Sequence, residues 1–278
     1  MNAQDKYIDI KGLRLHYLDW GNRGGQPMLL LHGFTGHAHV WDDFAAVFKG
    51  HYHVIALDQR GHGESQWSQE CDYTLDAHFS DIAGFVDALD LNDIVLIGHS
   101  MGGRNALYYA ACAPERVQKL IVVDSRLETK IESNKALMNL LTSFPTKADS
   151  LDQVVKALQR LYTYVPIRSA YHISKYGYKQ TKPGAYTPKY DTRMGLKSEK
   201  ADYSVENIGL FLKNISCPTL IVRGEKSPFL SREDARKIGK RIPDAVFSEI
   251  SKATHMPVQE NLEAFKAVVH KFLGGYQI

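Results

Sequence analysis

Ile94-Val95-Leu96-Ile97-Gly98-His99-Ser100-Met101-Gly102-Gly103 decides how this chain is read. Four apolar residues in a row, without polar alternation, predict a strand buried on both faces. Gly-x-Ser-x-Gly follows, and from Gly102 to Ala111 the apolar spacing turns helical. A serine at such a strand-to-helix turn is held in a strained backbone conformation, and Gly98 and Gly102 relieve the crowding because they carry no Cβ. Its hydroxyl then stands out at the carboxyl edge of a sheet. The following helix aims backbone N–H groups and its positive dipole end at the same point, where negative charge develops when a carbonyl is attacked. Ser100 is therefore the candidate nucleophile.

Outward from this turn, short β-rich runs alternate with helical patterns, the signature of a parallel sheet with helices on both faces. Strands are expected at Tyr7 to Ile10 and Leu13 to Leu18, flanking the turn Lys11-Gly12, and then at Met28 to His32, His53 to Asp58, Ile94 to His99, Lys119 to Asp124, Thr219 to Arg223 and Val246 to Ile250. The first two alternate in polarity and belong at an edge. Helices are expected at Val40 to Phe48, Leu75 to Leu89, Gly102 to Ala111, Arg232 to Arg241 and Leu262 to Phe272. The rhythm breaks between about Leu127 and Ile215. There no strong strand is expected, and helical patterns run over Lys135 to Leu141, Leu151 to Leu161 and Arg168 to Tyr178. This divides the chain into a core, residues 1–126 and 216–278, and an inserted helical segment, 127–215.

Composition narrows the functional classes. The 278 residues are 44% hydrophobic and 23% charged, enough for a sizeable core and incompatible with disorder. Apolar runs of four or five residues cannot cross a bilayer, and the N-terminus lacks the basic-then-apolar order of a signal peptide, so a cytoplasmic protein without a membrane span is expected. Cys71, Cys112 and Cys217 have no metal-ligand or disulfide spacing. A net charge of +3 is too balanced for nucleic-acid binding. The distribution is uneven: residues 127–215 carry fourteen Lys or Arg against eight Asp or Glu, together with eight of the fifteen tyrosines.

A serine hydroxyl needs a base. Of twelve histidines, His255 lies on the loop after the last expected strand and just before the last helix, where a sheet edge would deliver it. Others, among them His32, His37, His39, His62, His99 and His172, read as core, turn or surface residues. His99 should point away from its neighbour Ser100 and pack beneath it.

With these motifs in order, the chain resembles the α/β-hydrolase superfamily of serine esterases and lipases over essentially its whole length. His32-Gly33-Phe34, with Trp41 beyond, is similar to the family's oxyanion loop, which implies that the N–H groups of Phe34 and Met101 form the oxyanion hole. Asp58-Gln59-Arg60-Gly61-His62-Gly63 resembles a turn that holds loop geometry. The resemblance implies a mostly parallel eight-stranded sheet, and a helical cap at 127–215, inserted after the sixth strand. The acid departs from the commonest pattern. Many relatives place an Asp about three residues after the glycine ending the seventh strand, where this chain has Ser227. Asp124, at the end of the sixth strand, is the first choice, and Glu225 is the alternative; neighbouring strands are ~4.8 Å apart, so either can reach one imidazole.

A serine at position 100 excludes the family's dehalogenase and epoxide hydrolase chemistry, which resembling proteins perform with Asp there. The expected function is hydrolysis of a carboxylic ester of a small molecule, with no metal or organic cofactor. A carbon–carbon bond hydrolase and a cofactor-free perhydrolase or haloperoxidase use the same triad; the former often has a longer Gly-Pro-rich oxyanion loop, which Gly33-Phe34-Thr35-Gly36 lacks. A ligand-binding or signalling protein on the hydrolase fold is the alternative of another class.

Overall fold

The computed structural model describes residues 3–127, 143–194 and 205–275. Eight strands form one sheet: β1 (Gln4–Ile10), β2 (Leu13–Asp19), β3 (Gln26–Leu31), β4 (Tyr52–Leu57), β5 (Ile94–His99), β6 (Val117–Val123), β9 (Thr219–Gly224) and β10 (Ala245–Ile250). Their order is β1-β2-β4-β3-β5-β6-β9-β10. The β1–β2 and β2–β4 pairs are antiparallel, and every other pair is parallel. The eight-stranded, mostly parallel architecture expected from the sequence is therefore present, with the alternating first strands on one side.

The central strands are uniformly apolar because both faces are covered. In β3, Leu29 and Leu31 face a cluster with Ile82 and Phe85 of α2 (Leu75–Ala88) and Ala106 and Leu107 of α3 (Met101–Cys112). Met28 and Leu30 face the opposite cluster, with Phe44 of α1 (Asp42–Phe48) and Phe265 of α8 (Leu262–Leu273). Each fully buried Leu or Phe contributes about 1.5–3 kcal/mol. Helix starts are set by Thr74, Ser231 and Asn261, whose side chains accept the N–H of Ala77, Asp234 and Ala264. Such caps are worth ~1 kcal/mol each. Ser231 caps α7 (Arg232–Arg241).

Between β6 and β9 lie α4 (Leu151–Leu161), α5 (Ile167–Gly177), a hairpin of β7 (Tyr178–Lys182) and β8 (Ala185–Pro188), and α6 (Val205–Phe211). The two helices match the spacing read from the sequence. The hairpin does not, since no strand was expected there: Lys179, Gln180, Thr181 and Lys182 are all exposed, so β7 has no apolar face to mark it. The pattern at Lys135 to Leu141 lies outside the described residues. Phe144, Leu158, Tyr162 and Val165 pack with Met256 of the core, which seats this segment over the carboxyl edge of the sheet. Among the described residues no helix is long and apolar enough to cross a membrane.

The turn after β4 is built around Asp58. Its carboxylate, buried, accepts from Ala38 N at 2.5 Å, Glu64 N at 2.9 Å and His16 Nδ1 at 2.7 Å. Burial opposes its charge, yet the hydrogen bond and charge of His16 hold the carboxyl well below its ordinary range. Replacing Asp58 by Ala would orphan His16 and two backbone N–H groups in the interior. Asp58→Ala is expected to destabilise by about 3–5 kcal/mol, read as a lowered urea midpoint in chemical unfolding. A midpoint within error of the parent would contradict this account of the turn.

Buried histidines make the fold acid-sensitive. Burial pushes His32 and His37 down to about 4 and His62 and His99 down to about 3. In the unfolded chain each takes up a proton near pH 6.5; in the folded chain each resists until pH 4 or 3. The stability they confer is complete above pH 6.5 and is lost as pH falls, by about 1.4 kcal/mol per histidine per pH unit. His16, raised by its bonds to Asp58 against the effect of burial, acts in the opposite direction and cancels only part. The melting temperature is expected to fall steeply between pH 6.5 and 4.5; a flat profile would show that these histidines are not neutral in the fold.

Candidate active site

Ser100 sits at the junction of β5 and α3 with φ 51° and ψ −113°, left-handed for a residue with a side chain. Such backbone costs ~1–3 kcal/mol and persists only where its surroundings enforce it. Here Ser100 N–H donates to Val123 O at 2.9 Å, and Ser125 Oγ donates to the Ser100 carbonyl at 2.7 Å. The turn is also too tight for side chains on its flanks: a Cβ on Gly98 would lie 2.2 Å from Gly102 O.

The loop after β10 brings His255 to this serine. Its Nε2 is 3.0 Å from Ser100 Oγ, and its Nδ1 is 3.0 Å from Asp124 Oδ1. A carboxylate only accepts, so Nδ1 carries the proton and Nε2 is left to accept from the hydroxyl. Asp124 follows the last residue of β6, has φ 44°, and donates its own N–H to Val222 O at 2.7 Å. Its carboxylate also accepts from Gly224 N at 2.8 Å and from Ser227 Oγ at 2.5 Å. Glu225 turns elsewhere: its Oε2 accepts from Lys252 N at 3.2 Å. The structure thus brings Ser100, Asp124 and His255 together and leaves Glu225 out. Ser227, the residue at the position the resemblance would give to the acid, donates a hydrogen bond to Asp124.

Phe34 and Met101 are placed by a second set of contacts. A Cβ on Gly33 would lie 3.2 Å from Ser100 Cβ, so the loop after β3 runs directly against Ser100. Burial keeps His32 neutral, and Gln59 N–H donates to its Nε2 at 3.0 Å. The proton is therefore on His32 Nδ1, which donates to Gly33 O at 2.8 Å, and Gly36 N–H donates to the same oxygen at 3.0 Å. In a trans peptide the N–H points opposite the C=O, so fixing the Gly33 carbonyl turns the Phe34 N–H the other way. Met101 N–H is the first of α3 and has no acceptor within its helix.

Several supporting residues were not singled out from sequence. His99, expected beneath Ser100, is neutral through burial, and its Nε2 donates to the backbone carbonyl of His255 at 2.6 Å. Glu260 accepts from Thr254 N at 2.6 Å, Thr254 Oγ1 at 2.7 Å and Met256 N at 3.1 Å, bracing the same loop from its other side. His37 Nε2 donates to Ile173 O of α5 at 2.9 Å. The bonds of His99 and His37 join residues far apart in the chain, whereas those of Glu260 stay within its own loop.

Beside His255 opens a cleft that is partly open to solvent. His255 and Phe34 line it from the core, and Phe144, Leu158, Tyr162, Ile173 and Tyr178 line it from the segment between β6 and β9. Among the described residues no Lys, Arg, Asp or Glu lines it. Burial pushes the lining Tyr190 hydroxyl up to about 12, so it stays protonated at neutral pH.

Residues 26–161 match the family model described as the alpha/beta hydrolase fold. The chain is similar to epoxide hydrolase 4 of Mus musculus, 45% identical over 121 residues, which are 42% of this chain and 34% of that relative. It therefore spans about a third of that relative's length. It is also 26% identical over 253 residues to the 2-(acetamidomethylene)succinate hydrolase of Mesorhizobium japonicum, covering 89% of this chain and 87% of that one. Among solved structures, E-2-(acetamidomethylene)succinate hydrolase superposes with a TM-score of 0.85 at 24% identity, over 98% of this chain and 99% of that chain. With a sheet of this order, a serine at the strand-to-helix turn after β5 and this family match, the chain has the alpha/beta hydrolase fold.

Proposed function

We propose that the chain is a serine hydrolase that cleaves a neutral carboxylic ester through an acyl-enzyme, with Ser100 as nucleophile, His255 as base and acid, and Asp124 as the carboxylate partner of His255. The observation that carries this reading is the continuous chain of hydrogen bonds from Ser100 Oγ through the imidazole of His255 to Asp124. Ser100 Oγ attacks the carbonyl carbon while His255 Nε2 takes the hydroxyl proton. Charge develops on the carbonyl oxygen and is met by the N–H groups of Phe34 and Met101. The imidazolium, steadied by Asp124, gives its proton to the departing alkoxide. Water then repeats the sequence on the acyl-enzyme and releases the acid. No step needs a metal or an organic cofactor.

Chemistry separates this reading from that of the epoxide hydrolase relative. A serine oxygen that opened an epoxide would form an ether, which offers water no carbonyl to attack, so the enzyme would be consumed. The cleft favours a neutral substrate. Aromatic and aliphatic side chains suit an apolar acyl or alcohol group. On this reading the segment 127–215 acts as a helical cap, with α4, α5 and β7 roofing the pocket.

Steady-state hydrolysis of p-nitrophenyl esters of graded acyl length tests the proposal. Repeated turnover is expected, with a maximum at medium chain length, and Ser100→Ala should lower kcat on the order of 10⁴-fold or more. A single stoichiometric burst, or activity that survives the substitution, would sink the esterase reading. The acid is tested separately: Asp124→Asn should cost on the order of 10⁴-fold in kcat, whereas Glu225→Gln should leave it unchanged. The reverse pattern would reassign the acid.

A further inference from the structure

We propose that His39, Asp42 and His172 form a binding site for a divalent transition-metal ion of the zinc class, which joins α5 to the sheet core. The three residues come from both sides of the boundary under the cleft roof. His39 lies in the short helical turn Ala38–Trp41, Asp42 opens α1, and His172 lies in α5. His39 Nδ1 and His172 Nε2 each lie 2.9 Å from Asp42 Oδ2. All three donor atoms fall within 4.8 Å of one another. Tetrahedral zinc with ligands at ~2.0–2.1 Å places them about 3.3 Å apart, so each imidazole–carboxylate distance lengthens by about 0.4 Å and the imidazole–imidazole distance closes by at most about 1.5 Å. Two imidazoles and a carboxylate are the donor set that zinc and its neighbours prefer, and one that calcium and magnesium, which demand oxygen, do not.

Two further observations support a ligand here. Asp42 Oδ1 is buried with no hydrogen-bond partner among the described residues, so the carboxylate has unused capacity. The imidazoles are also oriented in advance. The ring of Tyr176 stacks on that of His39 with centroids 3.6 Å apart and lies 4.9 Å from that of His172. The side chains of His39 and Asp42 are about a fifth exposed and that of His172 about a third, so the ion has a path from solvent and room for a water ligand. The site is separate from the triad: Asp42 and His39 pack under α5, whose residues Ile173, Ser174 and Gly177 line the cleft on its other side.

The test is a titration of the chelator-treated full chain with zinc chloride by isothermal calorimetry, with thermal unfolding followed in parallel. One equivalent should bind, and saturating zinc should raise the melting temperature. His172→Ala and His39→Ala should each weaken binding at least tenfold and abolish the thermal shift, and His255→Ala should keep both. No heat at micromolar protein, or binding that survives in both the His39 and His172 variants, overturns the site. Binding lost in His255→Ala but kept in His172→Ala also overturns it, since the ion then sits on the triad. Heat and melting temperature decide the question whether or not esters are turned over, so failure of the hydrolase reading is distinguishable.

Discussion

Three hydrogen bonds prolong the sheet's ladder beyond the ends of its strands, and the site depends on them. Ser100 N–H reaches Val123 O, Asp124 N–H reaches Val222 O, and Gly224 N–H reaches the Asp124 carboxylate. The backbones of Ser100 and Asp124 are thereby part of the sheet, even though both have left the extended conformation, with φ of 51° and 44°. Two left-handed residues on adjacent strand ends would relax in an isolated turn. Here β5, β6 and β9 hold them in parallel register, with His99 opposite Val123 and Val123 opposite Val222. Strain at the site is paid for by a sheet whose central strands are fully buried.

Neutral imidazole is the second recurring device. One ring offers a donor and an acceptor at once, and so it can tie two backbone groups that neither a carboxylate nor an amine could join. His32 joins Gln59 N–H to Gly33 O and so orients the candidate oxyanion loop. His99 supports the carbonyl of the very residue expected to act as base. The role of His32 requires the uncharged ring, which could no longer accept from Gln59 N–H if protonated. Burial thus holds the site's geometry, and the same burial makes that geometry sensitive to acid.

Much of this was legible in the chain because it is written locally. Continuous Val, Ile and Leu mark strands covered on both faces, and Gly-x-Ser-x-Gly between a strand and a helix marks the turn. Asp124 and His255 were found because strand ends and strand-edge loops converge at one side of a parallel sheet. The braces were not legible: Ser125 and His99 act on residues across the fold, and no spacing announces a hydrogen bond from residue 99 to residue 255. The β7–β8 hairpin was hidden for another reason. Period-two alternation appears only where one strand face is buried, and β7 exposes four of its five residues.

Among the described residues, the stretch 143–194 is attached to the core differently from the way the core is attached to itself. Helices α1, α2, α3 and α8 meet the sheet through large apolar clusters, which Ile208 of α6 also joins. The segment is tied down largely by polar links: His37 to Ile173 O, Trp67 Nε1 to Lys189 O, Asp191 N–H to Gly61 O, and the Tyr73 hydroxyl to Asp191. The apolar contacts that join it to the core are smaller, chiefly Tyr190 and Met194 on Tyr73 and Phe34, and the Phe144 group on Met256. Water can replace a polar link at a net cost of only about 0.5–1.5 kcal/mol, whereas exposing a strand of the central sheet forfeits several buried side chains at once. Displacing the segment is therefore far less costly than disturbing the strands beneath it. The residues proposed for the chemistry lie on the rigid side of that division, and most of the side chains that would select the substrate lie on the yielding side.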